Sequence, residues 1–314
     1  MPFLYGNDRL PYNFILFLYR NNAPLSGFIS PSHFPFISIA LPPEARNMMK
    51  PIRELLKKTG YYEYLRYSSL FRLYTKLLKP QVIQEHKKEV AFYQSFLPAH
   101  CPLIFDIGAF DGHKTAAFLD IADKVVSCEP DQYNFRTLRI RFRNHRSAVM
   151  LENKALSDHT GNETYYVHHA GSAFNTLNPK WKQILEADPE SRFNETIRFS
   201  DTVTVRLTTL DQLIKQYGRP SFIKIDVEGY ELSVLKGLSQ KVPYISFECL
   251  LPDCKTELLD CLHHLYQLDN KVVFNSAAEE KLEFAHFISW HEMVNWVNTE
   301  AKPRFFEVIA KMDL

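Results

Sequence analysis

The sequence predicts an α/β fold built on a mostly parallel sheet with helices on both faces. Three observations predict it. From residue 101 onward, short apolar runs alternate with amphipathic stretches, the rhythm of βαβ units with right-handed crossovers. A glycine turn, Asp106-Ile107-Gly108-Ala109-Phe110-Asp111-Gly112, separates the first apolar run from the first helical stretch, where open α/β sheets bind ligands. The 314 residues are 46% hydrophobic and 23% charged, enough for a core that needs no disulfide support.

The chain divides into three expected parts. Residues 1–51 carry Pro2, Pro11, Pro24, Pro31, Pro35, Pro42, Pro43 and Pro51. Regular helix does not persist through that spacing, so an extended, Pro-rich N-terminal arm is expected. Its aromatic content argues against full disorder. Residues 52–100 read as a helical extension. Leu55, Leu56, Tyr62, Leu65, Leu70, Leu73, Leu77 and Leu78 fall at helical spacing, and Gly60 and Pro80 divide the stretch.

Residues 101–314 hold the α/β domain. Leu103-Ile104-Phe105 predicts the first strand and Lys114 to Ile121 the first helix. Val125 to Cys128 predicts the second strand and Tyr133 to Phe142 the second helix. Val149-Met150-Leu151 is a third strand. Phe222 to Ile225 is a fourth, followed by a helix from Glu228 to Leu238. Tyr244 to Phe247 is a fifth, followed by a helix around Glu257 to Tyr266. Val272-Val273-Phe274 and Phe305 to Ile309 close the set. An insertion spans about 154–207, with strand-like Tyr165-Tyr166-Val167 and Val203-Thr204-Val205.

Charge and cysteine usage exclude some classes. Net charge is +1, so no nucleic-acid partner is expected. Arg136, Arg139, Arg141, Arg143 and Arg146 read as the solvated face of one helix. Five cysteines without a C-x-x-C pair fit a reducing compartment and no disulfide framework. Cys249, Cys254, Cys261 and His263 match no standard zinc spacing and read as structural thiols. The apolar run Phe14 to Tyr19 is too short to span a bilayer and lacks signal-peptide features. The chain reads as cytoplasmic, with no transmembrane segment.

The glycine turn carries the chemistry. Gly108 permits a sharp strand-to-helix turn, and Gly112 lets the helix begin close to a ligand. Glu129 ends the second strand, near the spacing at which a carboxylate grips ribose hydroxyls. Together these indicate a nucleoside pocket. The fingerprint G-x-G-x-x-G of dinucleotide sites is absent. Asp106 can hold the ammonium of a methionine moiety but would repel a pyrophosphate. S-adenosylmethionine (SAM) is therefore favoured over NAD.

Five segments resemble one family when taken in order. They are Phe105-Asp106-Ile107-Gly108-Ala109, Cys128-Glu129-Pro130, Asn153-Lys154-Ala155-Leu156-Ser157, Leu207-Thr208-Thr209-Leu210-Asp211 and Ile223-Lys224-Ile225-Asp226-Val227-Glu228-Gly229-Tyr230-Glu231. With Val234-Leu235-Lys236-Gly237 they resemble the FkbM family of SAM-dependent methyltransferases over about residues 101–312. The resemblance implies a Rossmann-like class I methyltransferase fold of seven strands, with Phe305 to Lys311 as the last and antiparallel one. Phe110-Asp111 departs from the family, where many members carry Asn first.

The resemblance implies SAM contacts at Asp106, Gly108, Ala109, Gly112, Thr115, Glu129, Ala155 and Asp226. Thr115 and Ala155 could equally be packing residues, and Asp226 could cap the following helix. Asp226, Glu228 and Glu248 are the candidate catalytic residues, since a hydroxyl acceptor must lose a proton. Glu228 could instead complement a helix dipole. Asp226 and Glu248 could also hold a divalent cation. Lys224, on a buried strand, is expected to pair with an acid. Ser172, Asn175 and Thr176 in the insertion are candidate substrate contacts, with Lys180-Trp181 beyond them. His168 and His169 read as structural. The expected activity is methylation of a hydroxyl on a small-molecule or glycan acceptor, a sugar or a secondary metabolite. The rival readings are an NAD-dependent oxidoreductase and a non-catalytic SAM-binding scaffold.

Overall fold

The computed structural model describes residues 61–188, 196–301 and 305–313. The Pro-rich arm, residues 1–51, lies outside them, as do residues 52–60 of the expected helical extension. The chain divides into two units, Met1–Glu85 and His86–Leu314.

In the first unit, helices span Tyr61–Arg66 and Ser69–Leu78. Ser68 caps the second by accepting from the Phe71 amide, the role of a short hydroxyl at a helix start. A third helix, Pro80–Gln94, begins on proline, which is suited to the first turn because its missing N–H is not needed there. The second unit takes up this helix from His86 onward, and buries Glu89, Phe92 and Tyr93.

Among the described residues the second unit is built on twelve strands. In chain order they are β1 (Cys101–Ile107), β2 (Ala122–Cys128), β3 (Val149–Glu152), β4 (Ala155–Leu156), β5 (Gly161–Val167) and β6 (Asp201–Thr208). There follow β7 (Phe222–Ile225), β8 (Tyr244–Leu250), β9 (Val273–Ala278), β10 (Lys281–Leu282), β11 (Ile288–Ser289) and β12 (Phe305–Lys311). The main sheet runs β10-β9-β12-β8-β7-β1-β2-β3, with β11 paired to β9. From β3 to β8 all pairings are parallel. The last strand, β12, is antiparallel to both β8 and β9, as expected.

The sheet has nine strands rather than seven. The extra pair, β10 and β11, are two-residue edge strands on β9. Glu279 and Glu280, between β9 and β10, both take positive φ, so a two-residue turn folds the chain straight back. Nothing in the apolar pattern marks that turn, because glutamates replace the usual Asn-Gly.

The insertion forms its own sheet, ordered β4-β6-β5. Ala155, Tyr165, Val167, Leu177, Val205 and Leu207 make its core. The main core has two sides. Ile104, Val125, Phe222 and Ile309 pack under Phe92, Tyr93 and Phe118. Phe105, Val126, Ile223, Ile225, Ile245 and Phe247 pack with the helices on the opposite side, through Leu213, Leu235, Leu262 and Trp296. Residues alternate between the two sides along each strand, as the pleat dictates. The strand-four helix is shorter than expected, Glu231–Lys236.

Candidate active site

The carboxyl ends of β1, β2, β7 and β8 carry the candidate residues. Gly108 takes φ +81, and a Cβ there would lie 1.7 Å from the Asp226 carbonyl oxygen. The turn after β1 therefore crosses the turn after β7 with no room for a side chain. The Asp226 amide donates to the Ile107 carbonyl at 2.9 Å, and the Gly108 and Ala109 amides donate to the Cys128 carbonyl. Backbone alone thus clamps three strand ends together.

Glu129 is 4% exposed. Its Oε2 accepts from the Phe110 amide at 2.8 Å and its Oε1 from the Asp131 amide at 2.9 Å. Phe110 reaches this position with φ 51. Burial pushes the Glu129 carboxyl up to about 8, against the two amide hydrogen bonds. Each oxygen uses one lone pair on the backbone and has a second for a ligand donor. Asn153 braces the turn by donating to the Glu129 and Pro130 carbonyls, which explains that residue in its motif.

Asp106 is almost fully buried. Thr115 Oγ1 donates to its Oδ2 at 2.5 Å and lies 2.9 Å from Ser127 Oγ. Burial lifts Asp106 to about 6. Thr115, itself fully buried, holds Asp106 from behind instead of lining a ligand cleft. Gly112 also differs in role. It is left-handed, and a Cβ there would strike Phe142 and Leu138, so it lets one helix pack against another. Ala109 joins the same cluster with Leu138, Phe142 and Val149. Ala155 is buried in the core of the small sheet. Asp111, beside the departing Phe110, accepts from the His113 amide at the start of the helix His113–Phe118 and pairs with Arg141 at 3.4 Å. Arg141 also donates to the Asp111 carbonyl, so it is not part of a purely solvated face.

A different chemistry occupies the β7–β8 end. Asp106, Lys224 and Ser246 are register partners on one sheet face, and Glu248 lies opposite Glu307. Lys224 is fully buried, with Nζ 3.2 Å from Glu248 and 3.6 Å from Asp226. The two acids keep 20% and 23% of their side-chain surface exposed. Burial and the neighbouring charge of Glu248 push Asp226 up to about 8, against the pull of Lys224. Burial opposes ionisation of Glu248 too, but Lys224, Lys114 and a hydrogen bond from Asp226 outweigh it and hold that carboxyl low. Burial and Glu248 thus favour the protonated form of Asp226, while Lys224 favours ionised Glu248, so the two acids titrate as a pair.

The expected divalent cation is not supported. Lys224 Nζ already serves both acids, and no group of three or more His, Cys, Asp or Glu side chains is placed to hold a metal among the described residues. Asp226 does not cap a helix, because the N-cap is Tyr230. Glu228 sits in a left-handed bend with φ 56, and its Oε2 lies 3.4 Å from the Trp181 indole nitrogen.

The insertion holds these two ends. Asp131 accepts from the Gly171 amide and from Asn175 Nδ2, while its other oxygen caps the helix Gln132–Arg141. Asn175 also accepts from the His168 amide. Thr176 Oγ1 donates to the Glu228 carbonyl at 2.8 Å, and Asn178 Nδ2 donates to the Gly229 carbonyl. A Cβ on Gly229 would strike Trp181. Ser172 Oγ accepts from the Phe174 amide. Asn175 and Thr176 are thus buried and hydrogen-bonded within the protein, and they position the loops.

Glu231 escaped the sequence reasoning. Its Oε1 accepts from the Val227 and Gly229 amides, and burial lifts it to about 7. It sits five residues beyond Asp226, at a helix start where an acid reads as ordinary dipole complement. Asp211 was likewise only a motif letter; it accepts from the Ser239 amide and ties the β6 turn to Gly237. A small pocket opens beside Glu248, walled by Trp181, Glu231, Leu232, Phe247 and Cys249.

No curated protein matches the chain. Among solved structures, similar folds include the methyltransferase FkbM of Methylobacillus flagellatus KT, with 16% identity and TM-score 0.44. That match covers 84% of this chain and 59% of the other, so this chain spans under two thirds of its length. The precorrin-6y C5,15-methyltransferase of Geobacter metallireducens GS-15 follows, with 10% identity, TM-score 0.37, and coverage of 73% and 87%. A protein of the NADB-Rossmann superfamily from Streptococcus agalactiae has 10% identity, TM-score 0.37, and coverage of 73% and 69%. A family model matches from the acid that ends β1 to the residue after β8. Over residues 106–251 the chain matches the model of the methyltransferase FkbM domain.

Proposed function

We propose that this chain transfers the methyl group of SAM to a hydroxyl of a small acceptor, a sugar, a glycan or a secondary metabolite. The observation that carries the reading is the pair of acids Asp226 and Glu248 at the β7–β8 end, held by the buried Lys224 Nζ at 3.6 and 3.2 Å. An alcohol is a weak nucleophile and must give up its proton as it attacks.

The residues present fit SAM. Glu129 offers a second lone pair on each oxygen to the two ribose hydroxyls. Gly108 lets the turn after β1 lie directly against the Asp226 carbonyl, which brings the acids of the two strand ends into one region. Asp106, gripped by Thr115 on Oδ2, has Oδ1 to meet the ammonium. SAM supplies the activated methyl group. The protein's own part is alignment, water exclusion and proton removal. With Asp226 ionised, the acceptor hydroxyl passes its proton to the carboxylate pair. Lys224 stays charged throughout, because three acids surround it.

The test is a transfer assay with methyl-labelled SAM against sugars, glycans, polyketide alcohols and RNA, alongside calorimetric titration with SAM and NAD. SAM binding with label on a hydroxyl acceptor supports the proposal. Binding of NAD without SAM, or label only on RNA, overturns it.

A further inference from the structure

We propose that the helix Ser69–Leu78 lies in the plane of an anionic membrane surface and docks the chain there. Leu70, Leu73, Tyr74, Leu77 and Leu78 recur at the spacing that places them on one helix face. That face is open to solvent, with Leu70 77% and Leu77 68% exposed. Phe71 at its edge is exposed too. A contiguous apolar face of this kind marks a contact surface.

The charge around it selects the occupant. Residues 61–79 contain Arg66, Arg72, Lys76 and Lys79 against one acid, Glu63. Lys76 flanks the leucine face, about 60° around the helix from Leu73, so its long stem lets the ammonium stay at the headgroups while the leucines enter the acyl boundary. Tyr61 and Tyr64, exposed in the preceding helix, suit the same interface, with an apolar ring and a polar tip. Ten residues of helix rise about 15 Å, and no described helix is long and apolar enough to cross a membrane. The element lies on a bilayer and does not span it.

The experiment is cosedimentation of the full chain with phosphatidylcholine vesicles, with and without phosphatidylserine. The wild type is expected to pellet with the serine-containing vesicles and to be released by salt. Leu70→Glu/Leu77→Glu is expected to stay in the supernatant. Lys76→Glu/Lys79→Glu is expected to bind roughly tenfold more weakly or worse. Far-UV dichroism and the melting temperature of each variant are measured beside the wild type, so that misfolding is seen separately. Absence of wild-type binding overturns the proposal. So does unchanged binding by a folded Leu70→Glu/Leu77→Glu chain, or a lipid-free dimer that this variant dissolves.

Discussion

The two ends of the sheet edge solve one problem in different ways. At the β1–β2 end, Glu129 is held by two backbone amides. At the β7–β8 end, Asp226 and Glu248 are held by one buried side chain, Lys224. Both ends bury carboxylates, yet their protons are controlled by different means. Amide dipoles are neutral and do not offset the burial of Glu129. A lysine brings a full charge, which keeps Glu248 ionised but cannot do so for both acids. A ligand-gripping acid suits the first arrangement and a proton-handling pair suits the second.

Removing the lysine breaks the comparison most severely. Lys224→Met is expected to cost about 3–5 kcal/mol of stability at neutral pH, the penalty for leaving buried charges unpaired. Urea unfolding should show the loss shrinking in acid, where the stranded carboxyls protonate. A variant as stable as wild type at neutral pH would show that the lysine does not hold the acids.

Next in size is the proposed base. Asp226→Asn is expected to slow methyl transfer about 10²–10⁴-fold, the range for lost general-base assistance. In the wild type, kcat/KM should rise with pH through about 8, because the group raised to that value must lose its proton to act. The limb should be absent from the Asn variant, and its persistence would move the base elsewhere.

On the β1–β2 side, Glu129→Ala is expected to weaken SAM binding at least about tenfold, the order for two lost hydrogen bonds. Calorimetry that finds the affinity unchanged would remove Glu129 from the pocket. Glu129 also makes a pH statement. Its folded value lies above its ordinary 4.5, so its contribution is fully present below about pH 4.5 and lost as pH rises through about 8. Against Glu129→Gln, the stability advantage of the wild type should therefore shrink between those limits.

The smallest effect concerns the tie between the two ends. Asn175→Ala is expected to cost about 1–3 kcal/mol by orphaning buried partners. SAM affinity should fall less than in Glu129→Ala. An equal or larger fall would make Asn175 a ligand contact.

Strand order, the glycine turn and the acids at strand ends were all legible in residue order. Apolar runs of four to eight residues separated by helical spacing can be read without knowing the fold. Gly108 was legible because few backbones besides glycine tolerate such a crossing. Gly112, Thr115, Ala155, Asn175 and Thr176 were found, and the structure gives each of them a packing or hydrogen-bonding part within the protein that residue order does not specify. A small or polar residue beside a motif looks the same whether it faces a ligand or a neighbouring helix. The β9–β10 turn was missed because Glu279-Glu280 carries none of the usual turn residues.

Local pattern was enough to say which segments become strands and which strand ends are acidic, since periodicity and turn chemistry act over a few residues. Only the packed chain decided that Lys224 stands between Asp226 and Glu248, that Glu231 gathers the amides after β7, and that Asp131 and Thr176 tie the insertion to both ends. Those outcomes depend on register between strands distant in sequence and on burial, which sets the protonation of each carboxyl. Neither quantity exists until the sheet has formed.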